Sequence, residues 1–217
     1  MSPISDFAEV VFVNAEVKEN LDEERAFYGV YFPSMEADMK HMIELVGNIR
    51  KAYVEEEGRD PVEHVKARIK TAQSMKEKLV RRQLPVNAGT AVRELTDAVG
   101  IRIVCTFVSD VYKLAEKLES AEESEVWQVK DYIKDPKPNG YRSYHLILQM
   151  KESGNYVEIQ IRTIAMDCWA SLEHQLKYKK DISHQELLVK ELKRCADEIA
   201  STDLSLETIR DMISREE

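Results

Sequence analysis

The segment Tyr156–Thr163 constrains the fold of this chain more than any other stretch. Val157, Ile159 and Ile161 stand at every second position, with polar residues between them. Because successive side chains of a strand point to opposite faces of a sheet, this alternation predicts a strand with one apolar and one polar face. The polar face would carry an acid, an amide and a guanidinium in one row: Glu158, Gln160 and Arg162.

Helical and strand patterns alternate along the rest of the chain. A helix opened by Pro33-Ser34 and ended by Gly58 is predicted from an apolar stripe at helical spacing, Met35, Met39, Met42, Ile43, Val46, Ile49 and Tyr53. Strand patterns cover residues 64–70, 100–108, 126–133 and 142–150. Ser153-Gly-Asn155 predicts a hairpin turn between the strand at 142–150 and the strand that begins at Tyr156.

Helical patterns cover residues 72–83 and 110–121, and residues 84–90 are predicted to be a loop. Two further helices are predicted near the end, one with the core stripe Ala165, Trp169, Leu172 and Leu176, the other with Leu188, Leu192, Cys195, Ile199, Leu206, Ile209 and Ile213. The order predicts the α+β class, a mixed sheet with helices before, between and after its strands.

Composition excludes some broad classes. No apolar run approaches the roughly 20 residues that a membrane span needs, so we expect no membrane partner. Cys105, Cys168 and Cys195 are far apart and form no Cys-x-x-Cys pair. We therefore expect each to be a small core residue and the protein to be cytoplasmic.

Positive charge is concentrated in one segment. The formal net charge is −9, yet residues 66–82 hold seven bases against one acid. Such a chain is a poor general binder of duplex nucleic acid but a reasonable binder of a small polyphosphate. If a helix begins just after Lys70, then Ser74 and Lys78 lie one turn apart at its start, where phosphates bind. A solvated basic face is the alternative.

Arg102 interrupts an apolar strand pattern and therefore needs a partner, because an unpaired buried charge is costly. Two interpretations are open. Arg102 could form a structural salt bridge, with Asp97 at the mouth of the strand as its partner. Its guanidinium could instead stack on a purine.

A turn rich in cations and rings, Lys137-Pro-Asn-Gly-Tyr-Arg-Ser-Tyr-His145, follows Lys130. It leads into a strand that would place three polar side chains on one face, Tyr141, Ser143 and His145. Together these residues favour a ligand site over ordinary packing. Stacking of a base on an aromatic ring is worth about 1–3 kcal/mol, so a nucleotide fits this inventory.

Two carboxylates complete the set of residue types. Asp97 and Glu158 could hold Mg²⁺, which in proteins takes one or two carboxylates together with substrate phosphates. The chain has no Gly-x-x-x-x-Gly-Lys-Ser/Thr loop, no Gly-x-Gly-x-x-Gly and no zinc-like cysteine or histidine cluster.

These motifs resemble the RelA/SpoT alarmone synthetase family in its small, single-domain form, from about residue 64 to about residue 180. The similarity comprises Arg68-x-Lys70-x-x-x-Ser74-x-x-x-Lys78, Asp97-x-x-Gly-x-Arg102, Lys130-Asp-Tyr-Ile with Asn-Gly-Tyr-Arg-Ser-Tyr-His145, Glu158-Ile-Gln-Ile-Arg-Thr163, and Trp169-Ala-x-x-Glu-His with Tyr178-Lys. The resemblance implies a nucleotidyltransferase-like mixed sheet over residues 64–182, with helical extensions at 1–63 and 183–217. It also implies transfer of pyrophosphate from ATP to the 3′-hydroxyl of GDP or GTP, with release of AMP.

The resemblance also implies a role for each matching residue. Arg68 and Arg102 would enclose the adenine, and the ATP phosphates would be held by Lys70, Ser74 and Lys78. Asp97 and Glu158 would bind Mg²⁺, with Glu158 as the base for the 3′-hydroxyl. Tyr141 would stack on guanine. The acceptor phosphates would meet Lys130, Lys137 and His145, with Asn139, Ser143, Gln160 and Arg162 in support.

Further properties follow from the same resemblance. No His-Asp dipeptide of the family's hydrolase occurs in the chain, so we expect synthesis without hydrolysis. Small members form homotetramers through terminal helices, for which the stripes at 35–53 and 187–213 could serve, although either stripe could equally pack within the chain. Regulatory (p)ppGpp or single-stranded RNA are candidate partners.

Two rival functions use the same residues. One is a toxin-type relative that pyrophosphorylates an adenine nucleotide or a tRNA end. The other is a non-catalytic nucleotide- or RNA-binding regulator. Binding alone would not need both Asp97 and Glu158, which disfavours the regulator.

Overall fold

A computed structural model describes residues 10–12, 18–177 and 185–215. Its centre is a six-stranded sheet in the order β1-β2-β3-β6-β5-β4. The strands are β1 (Val10–Phe12), β2 (Val62–Ile69), β3 (Val99–Cys105), β4 (Ser124–Asp131), β5 (Tyr144–Met150) and β6 (Tyr156–Thr163). The β1/β2 and β3/β6 pairs are parallel and the other pairs are antiparallel, so the predicted mixed sheet is confirmed.

The helices lie between and after the strands. They are α1 (Lys18–Tyr28), α2 (Phe32–Glu57), α3 (Ala72–Arg81), α4 (Ala88–Glu94), α5 (Val108–Glu119), α6 (Ile164–Lys177) and α7 (Gln185–Ile213). The α+β prediction is thereby confirmed. Tyr178 of the sequence motif and the boundary expected at residue 183 lie outside the described residues.

The apolar face of the sheet forms the core together with α2 and α5. Val157, Ile159 and Ile161 are all 0% exposed, as the alternation of β6 predicts. Each such side chain contributes about 1.5–3 kcal/mol on burial. The apolar face is therefore fully used for stability, and the polar face of the same strands is left for other roles.

Helix α2 packs its stripe into this core. Met35 and Met42 are completely buried, and Gly58 ends the helix with a positive φ of 72°. Since the stripe at 35–53 is covered by the chain's own sheet, the expectation that it could serve an oligomer is wrong. Helix α7, in contrast, leaves apolar side chains exposed: Leu187, Val189, Leu204, Leu206, Ile209, Met212 and Ile213.

The strand register assembles one polar row across the other face of the sheet. Lys66 pairs with Arg102, and Arg102 with Gln160. Gln160 pairs with His145, and His145 with Lys130. Because directly paired residues point to the same face, five strands contribute neighbouring polar side chains to one surface.

Three local expectations differ from the structure. Leu172 and Leu176 of the predicted core stripe are 53% and 47% exposed, because α6 packs through Met166 and Trp169 instead. The predicted loop at 84–90 contains the start of α4, where the Asn87 side chain accepts from the Thr90 amide. Cys168 is exposed rather than a core residue. Within the described part of the chain, no helix is long and apolar enough to span a membrane.

Candidate active site

The junction of β2 and α3 places the basic residues as predicted. Thr71 caps α3, its hydroxyl accepting from the Ser74 amide at 3.3 Å. Lys70 therefore lies just before the helix N-terminus, and Lys78 lies one turn beyond Ser74. The amides and the dipole of such a helix start favour an anion, which the two lysines reinforce.

Asp97 joins both lysines. Its Oδ2 accepts from Nζ of Lys70 at 2.7 Å and lies 2.6 Å from Nζ of Lys78. Burial alone raises the pKa of Asp97, but the two lysine hydrogen bonds together outweigh burial and hold the pKa below its ordinary value. Burial lowers the pKa of Lys78, against the effect of this contact. Asp97 is consequently an anion within a cationic cluster.

The other oxygen of Asp97 is unused. Oδ1 is buried and has no hydrogen-bond partner among the residues that the structure describes. A buried carboxylate oxygen without a partner is unfavourable by about 1–3 kcal/mol. A hard cation that prefers oxygen ligands would satisfy it, so the arrangement fits Mg²⁺.

Glu158 on β6 is the second carboxylate. Its Oε1 lies 3.3 Å from Nδ1 of His145, and its Oε2 accepts from Nε2 of Gln160 at 3.0 Å. Burial raises the pKa of Glu158, but the bonds from His145 and Gln160 outweigh this and keep the pKa below its ordinary value. The charge of Asp97 acts on Glu158 in the raising direction, so the two carboxylates influence each other. A cation between them would relieve this repulsion.

His145 connects Glu158 to Tyr141. Burial lowers the pKa of His145, although Glu158 opposes it. A neutral ring with its proton on Nδ1 satisfies both neighbours, since Nε2 can then accept from the Tyr141 hydroxyl at 2.8 Å. This proton placement leaves Glu158 as the acceptor at the end of a hydrogen-bond chain.

The ring of Tyr141 lies among cations. Nζ of Lys137 is 4.6 Å from its centroid, and the guanidinium carbon of Arg162 is 5.0 Å from it. Nη2 of Arg162 also donates to the Tyr141 hydroxyl at 2.5 Å. Tyr141 is thereby held both at its face and at its hydroxyl, as a platform for a base requires.

The turn that carries Tyr141 depends on Gly140. Its φ is 91°, and an added Cβ would lie 2.5 Å from Cβ of Ala196 on α7. Asn139 donates to Oε1 of Glu173 on α6 at 2.9 Å. Ser143 at the end of the turn donates to the carbonyl of Ile161 at 3.3 Å. The two last helices therefore support the turn.

Arg102 and Arg68 lie on the same face at the other side of β6. Arg68 pairs with Gly100 in the register, two residues from Arg102, and its charge lowers the pKa of Arg102 after the larger effect of burial. The suggested pairing of Arg102 with Asp97 is wrong. Nη1 of Arg102 lies 3.4 Å from Oδ1 of Asp167, because Asp97 is engaged by lysines.

Asp167 is the residue that sequence reasoning missed. It lies in the first turn of α6 and is 9% exposed. The available signal in the sequence was an acid that follows the polar strand by four residues, close in sequence to Arg162. The strand register places Arg102, Gln160, His145 and Lys130 in one row on the same sheet face, with Lys130 at its β4 side. Lys70, Ser74 and Lys78 lie at or on α3, and Lys137, Asn139 and Tyr141 lie in the turn before β5.

Comparisons with known proteins identify the relatives of this chain. The family model described as "Region found in RelA / SpoT proteins" matches residues 67–183. GTP pyrophosphokinase YwaC of Bacillus subtilis is 44% identical over 146 residues, covering 64% of this chain and 70% of that protein. GTP pyrophosphokinase YjbM of the same organism is 35% identical over 168 residues, covering 75% and 78%.

A solved structure is similar over nearly the whole fold. The small alarmone synthetase 1 from Bacillus subtilis, bound to its product pppGpp, superposes with a TM-score of 0.73 at 30% identity. The match covers 90% of this chain and 98% of that one. The similarity therefore includes the polar sheet face and the helices around it.

Proposed function

The chain belongs to the RelA/SpoT family, and we propose that it is a (p)ppGpp synthetase. It transfers the pyrophosphoryl group of ATP to the 3′-hydroxyl of GDP or GTP and releases AMP. The observation that carries the proposal is the placement of two carboxylates, with Asp97 against Lys70 and Lys78 and Glu158 against His145, which contacts Tyr141. A site for binding alone would not need both.

The donor nucleotide binds on the side of β2 and β3. Arg68 on β2 pairs with Gly100, and Arg102 lies two residues further along β3 on the same face, where the two guanidiniums enclose the adenine. Lys70 just before α3, Ser74 in its first turn and Lys78 one turn further along hold the phosphates. The acidic phosphates replace Asp97 as the partner of the lysines, which frees that carboxylate.

The acceptor nucleotide binds on the side of β5 and β4. Tyr141 stacks on the guanine, and Lys130, Lys137 and His145 face the acceptor phosphates. Lys137 already lies over the Tyr141 ring at 4.6 Å, where a base would take its place. Lys137 would then bind the acceptor phosphates while the ring of Tyr141 binds the guanine of the same nucleotide.

Asp97 and Glu158 would hold Mg²⁺, which when bound neutralises charge on the transferring phosphoryl group. Glu158 accepts the proton of the 3′-hydroxyl as this oxygen forms its bond to the β-phosphorus. The bond between the β-phosphorus and the oxygen of AMP breaks in the same displacement. General-base assistance of this kind contributes about 10²–10⁴-fold.

The homotetramer expected from the family is proposed to form through α7 alone. Its outward face carries Leu206, Ile209 and Ile213, which are 51%, 52% and 57% exposed. The stripe of α2 is excluded because it is already buried.

A transfer assay tests the proposed function. Purified protein with Mg²⁺ and ATP labelled at the γ-phosphate is offered GDP, GTP, ADP or tRNA in separate reactions. We expect label in the product from GDP or GTP. Label only in adenosine acceptors or tRNA would support the toxin-type alternative, and absence of transfer to every acceptor would support the binding regulator.

A further inference from the structure

One carboxylate lies between the residues assigned to the two nucleotides. Oδ1 of Asp167 is 3.1 Å from Nη1 of Arg162 on β6 and 3.4 Å from Nη1 of Arg102 on β3. Asp167 itself stands on α6, at the end of the strand that carries Glu158. A single oxygen therefore contacts one guanidinium from each half of the site.

On the donor side, Asp167 offsets repulsion at Arg102. Burial lowers the pKa of Arg102, and the charges of Arg162 and Arg68 lower it further, whereas Asp167 acts in the opposite direction. Nε of Arg102 is buried without a partner among the described residues. The position of this guanidinium thus depends strongly on its ion pair with Asp167.

On the acceptor side, Asp167 binds Arg162, and Arg162 in turn binds the hydroxyl of Tyr141. Arg162 is 4% exposed and donates to the Tyr141 hydroxyl at 2.5 Å and to Oε1 of Gln160 at 2.8 Å. Gln160 in turn donates to Glu158 at 3.0 Å. A shift of Arg162 would therefore reach both the guanine platform and the base.

We propose that Asp167 is a positioning residue that couples the donor and acceptor nucleotide sites. Adenine bound against Arg102 holds this guanidinium and, through Asp167, Arg162 in the arrangement that already supports Tyr141, so less freedom remains to be lost when the acceptor binds. By linkage, the acceptor strengthens donor binding by the same factor. This inference rests on the proposed function, because it takes Arg102 as a donor residue and Tyr141 as an acceptor residue.

Equilibrium binding tests the coupling. Calorimetry measures the affinity for GDP with and without saturating α,β-methylene ATP, which cannot transfer its pyrophosphate, and then the reverse titration. In the unmodified protein we expect each nucleotide to tighten the other by at least about fivefold, the lower end of typical coupling. Asp167→Asn keeps the shape of the side chain and removes its charge. It should reduce the coupling factor to near one in both titrations.

Three variants separate coupling from folding. Asp167→Glu retains the charge and should retain part of the coupling. Asp110→Asn removes another buried carboxylate that binds an arginine, Arg59, away from the site, and should lower stability without changing the coupling. Arg102→Gln breaks the same chain from the donor side and weakens donor binding itself, so α,β-methylene ATP is raised until this variant is saturated; the coupling should then be lost while GDP alone binds as before. This variant decides the question if Asp167→Asn does not fold.

The outcomes distinguish the two proposals. An unmodified protein without coupling, or folded Asp167→Asn or Arg102→Gln proteins with undiminished coupling, would overturn the role of Asp167. Loss of only one nucleotide's affinity in Asp167→Asn, with coupling intact, would overturn it as well. Failure of the unmodified protein to transfer label, despite coupled binding, would instead overturn the synthetase function and leave the linkage through Asp167 supported.

Discussion

The two parts of the site that we propose for the donor and the acceptor nucleotide are built differently. In the donor half, Asp97 and Arg102 each have a buried atom without a partner among the described residues. In the acceptor half, each hydrogen-bonding side-chain atom of Tyr141 and His145 has a contact, and Glu158 receives one at each oxygen. The donor half is incomplete without a ligand, whereas the acceptor half is already organised.

This difference follows from the charges that each half must accept. ATP phosphates and a metal ion bring strong opposite charges, so unsatisfied oxygens and cations can be matched when they bind. A neutral base stacks with little directional preference, so its platform must be fixed beforehand by other contacts. We therefore expect donor-side variants to weaken ligand binding by removing opposite charges. We expect acceptor-side variants to weaken it by disordering the residues that support Tyr141.

The largest effect is expected at Glu158, where the two halves meet. Glu158→Gln keeps the contacts with His145 and Gln160 in shape but removes the base and a metal ligand. We expect kcat to fall by at least about 10²–10⁴-fold, measured by label transfer from ATP to GDP. Binding of α,β-methylene ATP and of GDP measured without Mg²⁺ should change far less.

Glu119→Gln is the matched control for Glu158→Gln. Glu119 ends α5 and accepts from the Tyr144 hydroxyl at 2.5 Å. Its replacement should leave turnover near that of the unmodified protein. Turnover that survives in Glu158→Gln would refute the assignment of Glu158 as the base, and would show that the reaction does not depend on the carboxylate where the two halves meet.

A smaller effect is expected at Tyr141, within the organised half. Tyr141→Ala should weaken GDP binding by about 1–3 kcal/mol, or about 5- to 150-fold, while the KM for ATP changes little. Tyr141→Phe keeps the ring but loses the hydroxyl bonds to His145 and Arg162. If the ring is the platform, Tyr141→Phe should bind GDP much better than Tyr141→Ala. Equal losses in both variants would assign the effect to the hydroxyl network.

The smallest effect is expected in the pH dependence of stability. The pKa of His145 is lowered from its ordinary 6.5, so its contribution to stability is present above pH 6.5 and is lost as the pH falls through the folded value. The pKa of Asp97 is also lowered, from an ordinary 3.8, so its contribution to stability is present above pH 3.8 and is lost as the pH falls through the folded value. On acidification, the acceptor half should therefore weaken before the donor half.

Urea unfolding at stepped pH measures this order. His145→Asn should flatten the decline of the unfolding free energy below pH 6.5. His64 on β2 also has a pKa lowered by burial, so His64→Asn serves as the matched variant. It should flatten the decline too, but only His145→Asn should alter the pH dependence of GDP binding. An unchanged slope in His145→Asn would contradict the assigned direction.

Much of the fold could be predicted because its signals are local. The alternation of Val157, Ile159 and Ile161 identifies a strand with a buried face, and that face is completely buried. The helix predicted over residues 72–83 is α3, which spans Ala72–Arg81. Leu172 and Leu176 mislead, because periodicity shows that a helix has an apolar stripe but not whether another element covers it.

The sequence by itself determined most of the secondary structure, the family and the residue types of the site, because these depend largely on neighbours a few positions apart. Only the tertiary structure decided the pairing of the charges. Asp97 binds lysines and leaves Arg102 to Asp167, across a separation of 65 positions in the chain. The physical reason is that ion pairs depend on distances of a few ångströms in space, which strand register and helix docking set and which sequence separation does not reveal.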